Sequence, residues 1–175
     1  MRSLIMLVWI SLIGWTPMVL AQGSHTPSQS TGAIPAQATP GQKEFYIVTV
    51  HLDGKTSTKG DATHPPEAFP TQPLPVGGGI VMRQPDAEGT WQIRAFVFQP
   101  AQLTVYQGDQ VTLHFLGVHG PSYTITVEGK ADKFTLRRGE QHSVSFVADT
   151  VGAIRFFALD RQPTMQGEVL VLPRS

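Results

Sequence analysis

Between Gln110 and Leu116 the sequence alternates without a fault: Val111, Leu113 and Phe115 fall on one side, Thr112 and His114 on the other. A period of two places successive side chains on opposite faces of a strand and excludes a helix over the same residues. Similar segments fill the C-terminal part of the chain. Trp91–Phe98 ends before Pro100, Leu103–Tyr106 closes on Gly108-Asp109, and Ser122–Val127 ends at Glu128-Gly129. Phe134–Leu136 is short; the Arg138-Gly139 turn then leads into His142–Val147, with Val144 and Phe146 predicted to point inward. Ile154–Leu159 and Glu168–Leu172 complete the set, and no apolar residues recur at helical spacing after the leader. Short strands separated by turn residues predict an all-β sandwich or barrel. The 17 glycines and 14 prolines suit that reading better than a helical bundle.

The N-terminal part divides by composition. Residues 1–21 have the makeup of a secretory signal: Arg2, an apolar run from Leu4 broken by Pro17, and the exit Val19-Leu20-Ala21. This predicts an exported protein, periplasmic or secreted; the alternative is that the apolar run is kept as a membrane anchor. Residues 22–42 are polar and proline-containing and predict a disordered linker. Residues 43–90 are expected to form an N-terminal strand and a Pro-rich extension packing on the sandwich. The strand signal starts at Glu44 and runs to Leu52, with Asp53-Gly54 read as its closing turn. His64-Pro65-Pro66-Glu67-Ala68-Phe69-Pro70 cannot enter a sheet interior. It is expected to lie over the sandwich with Phe69 tucked in; the alternative is a motif for a proline-reading partner. Gly77-Gly78-Gly79 lacks the strand-to-helix setting of a phosphate loop. Lys plus Arg and Asp plus Glu both number 13, a balance that argues against a nucleic-acid surface. The chain has no cysteine.

Several runs in residues 91–175 resemble the cupredoxin-like family, the blue copper proteins and the related oxidase subunit II copper domain. They are Phe98-x-Pro100-x-x-Leu103-x-Val105-x-x-Gly108-Asp109-x-Val111-x-Leu113-x-Phe115, then Arg138-Gly139-Glu140 before Val144-x-Phe146. Gly152-Ala153-Ile154-Arg155-Phe156-Phe157 follows, and last Met165-x-Gly167-x-Val169-x-Val171. The resemblance implies a two-sheet Greek-key β-sandwich and ancestry in electron transfer and copper handling. It also implies that the four copper-ligand positions are Tyr123, Ala158, Arg161 and Met165. A type 1 copper is held by two imidazoles, a thiolate and a weak axial sulfur. Only the axial methionine is kept, and a chain without cysteine can form neither a type 1 site nor a thiolate-bridged centre. An arginine at 161 would repel a cupric ion; Tyr123 and Arg161 are expected to stack or hydrogen-bond in the old pocket.

Of the six histidines, His25 lies in the linker, and His114 and His142 are read as solvent-facing. His119, in the loop Gly117-Val118-His119-Gly120-Pro121, is the candidate for a substitute copper site with Met165, helped by His51 or His64. No nucleophile elbow surrounds Ser122 and the glutamates are scattered, so no enzyme is expected. The function expected is an exported binding or accessory module that uses no cofactor, associated with a protein partner in a redox or membrane complex. The alternatives are a copper-binding or electron-transfer protein using substitute ligands, and a structural subunit of a larger complex. Contact with the membrane itself is expected only if residues 1–21 are retained.

Overall fold

The computed structural model describes residues 39–73 and 78–174. The expected signal, most of the linker and His25 lie outside them. Ten strands follow in order: β1 (Gln42–Ser57), β2 (Ile80–Arg83), β3 (Thr90–Gln99), β4 (Gln102–Tyr106) and β5 (Gln110–Leu116), then β6 (Ser122–Val127), β7 (Ala131–Arg137), β8 (Gln141–Val147), β9 (Gly152–Ala158) and β10 (Gln166–Leu172). They form two five-stranded sheets, ordered β2-β3-β1-β5-β8 and β4-β10-β9-β6-β7. The architecture is an all-β sandwich of two sheets. Each sheet is mixed: β1 runs parallel to β5 and β4 parallel to β10, while the other pairs are antiparallel. Pro100, which cannot donate to a ladder, lies where the chain leaves β3 in the first sheet and enters β4 in the second.

The inward parities meet between the sheets. Phe98, Phe115 and Phe156 are buried and stand 5.5–5.9 Å apart, centroid to centroid, in edge-to-face contacts. Burying each ring is worth about 1.5–3 kcal/mol. Ile47, Leu113, Ile125 and Val169 fill the space around them.

The N-terminal boundaries need correcting. β1 begins at Gln42, inside the expected linker, and is the central strand of the first sheet, so the sandwich starts well before Trp91. Asp53-Gly54 is not a turn. Asp53 pairs with Arg94 and Gly54 with Ile93, and the strand continues to Ser57. The Arg94 guanidinium grips the Asp53 carboxylate at 2.6 and 3.0 Å. Cross-strand partners here outweigh the local preference for a turn. β2 has no counterpart among the strands read from the sequence. Beyond β1, Phe69 stands edge-on to Trp91 at 5.4 Å, and the Trp91 indole N–H donates to the Glu67 carbonyl at 3.0 Å.

Candidate functional site

Thr49 is fully buried in β1. A buried hydroxyl requires partners, and this one accepts from the Val118 N–H at 2.9 Å and the His119 N–H at 3.2 Å, and donates to the His119 carbonyl at 3.0 Å. These bonds draw the β5–β6 loop onto β1 and set His119 beside His51. The His51 N–H donates to Nδ1 of His119 at 3.1 Å, and the two rings lie 4.9 Å apart. His51 also meets Phe96 edge-on at 4.5 Å, and its Nε2 is buried without a hydrogen-bond partner among the described residues. Burial, followed by the charges of Arg94 and His119, lowers the His51 pKa and favours the neutral ring.

Of the four positions that the resemblance assigns, Tyr123 and Arg161 share the neighbour Phe96 with His51. Tyr123 points inward from β6 with 2% of its surface exposed, while Ala158 and Met165 are fully buried. Main-chain bonds close the segment between them: the Ala158 N–H to the Met165 carbonyl at 2.9 Å, and the Met165 N–H to the Arg161 carbonyl at 3.0 Å. Phe96 is a common neighbour, with the Tyr123 ring 6.4 Å and the Arg161 guanidinium 5.1 Å from its centroid. Arg161 therefore stacks, but on Phe96 and not on Tyr123. The Tyr123 hydroxyl lies over Gly120, in the space a β-carbon there would take. Burial raises the Tyr123 pKa, partly opposed by Arg161, so the phenol stays protonated.

This donor set does not fit a type 1 copper. Ala158 supplies no ligand atom, Arg161 supplies a permanent cation, and Tyr123 is a protonated phenol in a packed core. Among the described residues no three His, Asp or Glu side chains gather as a metal site would require. Of the proposed helpers, His51 joins His119. His64 instead sits in an exposed turn, its N–H bonded to Asp61 at 2.8 Å. Of the two histidines read as solvent-facing, His114 departs from that reading, whereas His142 is exposed as expected. His114 is stacked on Tyr46 at 4.6 Å and bonded to Ser143 at 2.8 Å, with only 15% of its side chain exposed. His142 shares the inward parity of Val144 and stacks on Phe134 at 3.8 Å.

A second feature adjoins this end. β1 and β3 have 16 and 10 residues, against five to seven for the strands of the second sheet. Thr49 and Phe98 face the core, and period-two alternation puts His51/Phe96, Asp53/Arg94 and Lys55/Gln92 on the same face farther along. β2 extends the last two pairs with Val81 beside Arg94 and Arg83 beside Gln92. The core-facing side of the first sheet thus emerges as an open shelf of about 400 Å³, running from Phe96 to Arg83 and Lys55. Sequence reading missed Thr49, Phe96 and the Asp53–Arg94 pair. The available signal was Phe96 itself, an aromatic at the same parity as the polar Gln92 and Arg94.

No protein-family model matches the sequence, and no curated protein does. Among solved structures, the chain is similar to a multicopper oxidase, mgLAC, at 14% identity and a TM-score of 0.47, over 77% of this chain and 40% of that one. It is also similar to a heme-copper terminal oxidase at 12% identity and a TM-score of 0.38, over 43% of this chain and 56% of the other. The chain thus spans well under half the length of the multicopper oxidase chain, and identities this low bring neither ligands nor activity across. Among the described residues no helix is long and apolar enough to cross a membrane.

Proposed function

We propose that this chain is an exported binding or accessory module on a cupredoxin-like sandwich, working without a type 1 copper and without enzymatic activity. Its partner in this reading is a protein of a redox or membrane complex. One observation carries it: Tyr123, Ala158 and Met165 are spent on core packing, and Arg161 lays its charge on Phe96. A pocket rebuilt in this way maintains the end of the sandwich as a packed surface, which suits holding a partner better than exchanging electrons. Copper titration tests the reading. After addition of cuprous and cupric salts and passage over a desalting column, the protein should retain less than stoichiometric metal and show no thiolate-to-copper colour.

A second reading is favoured by the His51–His119 pair, in which burial favours the neutral His51 ring and the exposed His119 ring stands 4.9 Å from it, since imidazoles are ligands for copper. Tight stoichiometric uptake that is abolished in His51→Phe or His119→Phe would establish it and overturn the metal-free reading. Loss on Met165→Leu instead would point to the pairing of His119 with the axial methionine.

A further inference from the structure

We propose that the open shelf binds an extended acidic segment of a partner protein, with a carboxylate held between Lys55 and Arg83. This deepens the binding-module reading and rests on it. The shelf is a ladder of cross-strand rows with distinct chemistry. In the outermost row Lys55, Gln92 and Arg83 stand side by side on β1, β3 and β2. Neither the Lys55 nor the Arg83 side chain has a hydrogen bond or ion pair among the described residues, although each lines the cavity. Strands spaced about 4.8 Å apart put their α-carbons about 10 Å from each other, a span that two long side chains close around one carboxylate above the Gln92 amide.

The next row is electrically satisfied. Asp53 is engaged by two nitrogens of the Arg94 guanidinium, so it does not cancel the two outer cations, and Val81 beside Arg94 is 49% exposed. The innermost row presents Phe96 under Arg161. Going inward, the surface is cationic, then neutral with an exposed aliphatic, then aromatic with the Arg161 guanidinium on the ring. Successive rows on this face lie about 6.7 Å apart along a strand. An extended peptide has the same repeat, so an acidic residue at the first row places residues two and four farther along at Val81 and Phe96. An inorganic anion would use only the first row and leave the apolar steps bare. That match of period and charge selects a peptide of the form acidic-x-apolar-x-apolar.

Fluorescein-labelled heptapeptides containing Glu-Ala-Leu-Ala-Phe, Glu-Ala-Val-Ala-Phe or Asp-Ala-Leu-Ala-Leu, titrated with the purified full chain, test the proposal. At least one should bind with an affinity that weakens as salt is added. Amide shifts should be confined to β1, β2 and β3. Replacing its acidic residue by Lys, or the chain's Lys55→Glu with Arg83→Glu, should weaken binding at least tenfold. Lys55→Gln with Arg83→Gln should lower affinity by a smaller factor, and Lys133→Glu on β7 should leave it unchanged. Binding that ignores the charge of the peptide, survives the double reversal in a folded protein, or is absent for all three peptides would overturn the proposal. Inorganic phosphate displacing the peptide at equal concentration would make the shelf a small-anion site and also overturn it. The copper titration is read on the same preparations. Peptide binding together with tight copper uptake sinks only the metal-free reading, and neither peptide binding nor copper uptake sinks only the shelf.

Discussion

His51 shows how one side chain makes this end of the molecule sensitive to pH. Its ring is packed against Phe96 and His119, its Nε2 has no partner among the described residues, and Arg94 lies near enough to oppose a further positive charge. The folded state therefore prefers the neutral ring, and its pKa lies below the unfolded value of about 6.5. For a base with a depressed pKa, the unfolded chain binds the extra proton first. The associated stability is complete above about pH 6.5 and declines as pH falls toward the folded pKa. Urea unfolding measured from pH 8 to pH 5 should show this decline, and His51→Gln should reduce it. The Asp53 carboxylate acts weakly in the opposite sense, so Asp53→Asn should steepen the decline. A pH profile unaffected by His51→Gln would show that the ring does not titrate in this way.

At the scale of elements, Asp109 fastens three parts of the chain. It is buried in the turn between β4 and β5, and accepts the Gly41 N–H at 2.9 Å and the Tyr106 N–H at 3.0 Å while pairing with Arg174. The entry to β1, the β4–β5 turn and the segment after β10 are thereby joined. The Gly41 N–H first, then the Tyr106 N–H and Arg174, hold the carboxyl below its usual range against the opposing effect of burial. Asp109→Ala leaves buried donors unpaired and should lower unfolding free energy at pH 7 by about 2–3 kcal/mol, measured by urea melts. The sequence showed Gly108-Asp109 as a turn but not as a clamp, because two of the three partners are far away in the chain. The same limit explains Asp53-Gly54. Strand parity is a local property and was legible from Gln110 to Leu116 and from Ser122 to Val127. The extension of β1 through Asp53-Gly54 depends on Arg94 and Ile93, which only the folded sheet brings alongside. β2 and the parallel pairing of β1 with β5 were hidden for the same reason.

For the molecule as a whole, a two-sheet sandwich was readable because inward-facing residues repeat along most of its strands. The shelf was not, since it arises from the unequal lengths of strands in different sheets. Positions 123, 158, 161 and 165 were reached from motif spacing; the structure sets Tyr123 and Arg161 against Phe96 and links Met165 to Ala158 and Arg161 by main-chain bonds. Whether they are a vanished copper site can be tested by rebuilding it. Tyr123→His, Ala158→Cys and Arg161→His, with Met165 retained, together supply two imidazoles, a thiolate and an axial sulfur. Removing the guanidinium takes away the cation over Phe96, and shortening Tyr123 clears the space its hydroxyl occupies above Gly120. The added sulfur at the buried Ala158 should destabilise the metal-free variant by about 1–3 kcal/mol. Copper, which binds only the folded site, should restore that stability and raise the melting temperature with copper concentration. The triple variant should therefore bind one copper and develop a visible band that is absent when Ala158→Cys is made alone. A folded triple variant that takes up no copper would mean that these four positions never formed one site. Tyr123, Ala158, Arg161 and Met165 would then be core and rim residues of a sandwich whose likeness to copper proteins ends at the fold.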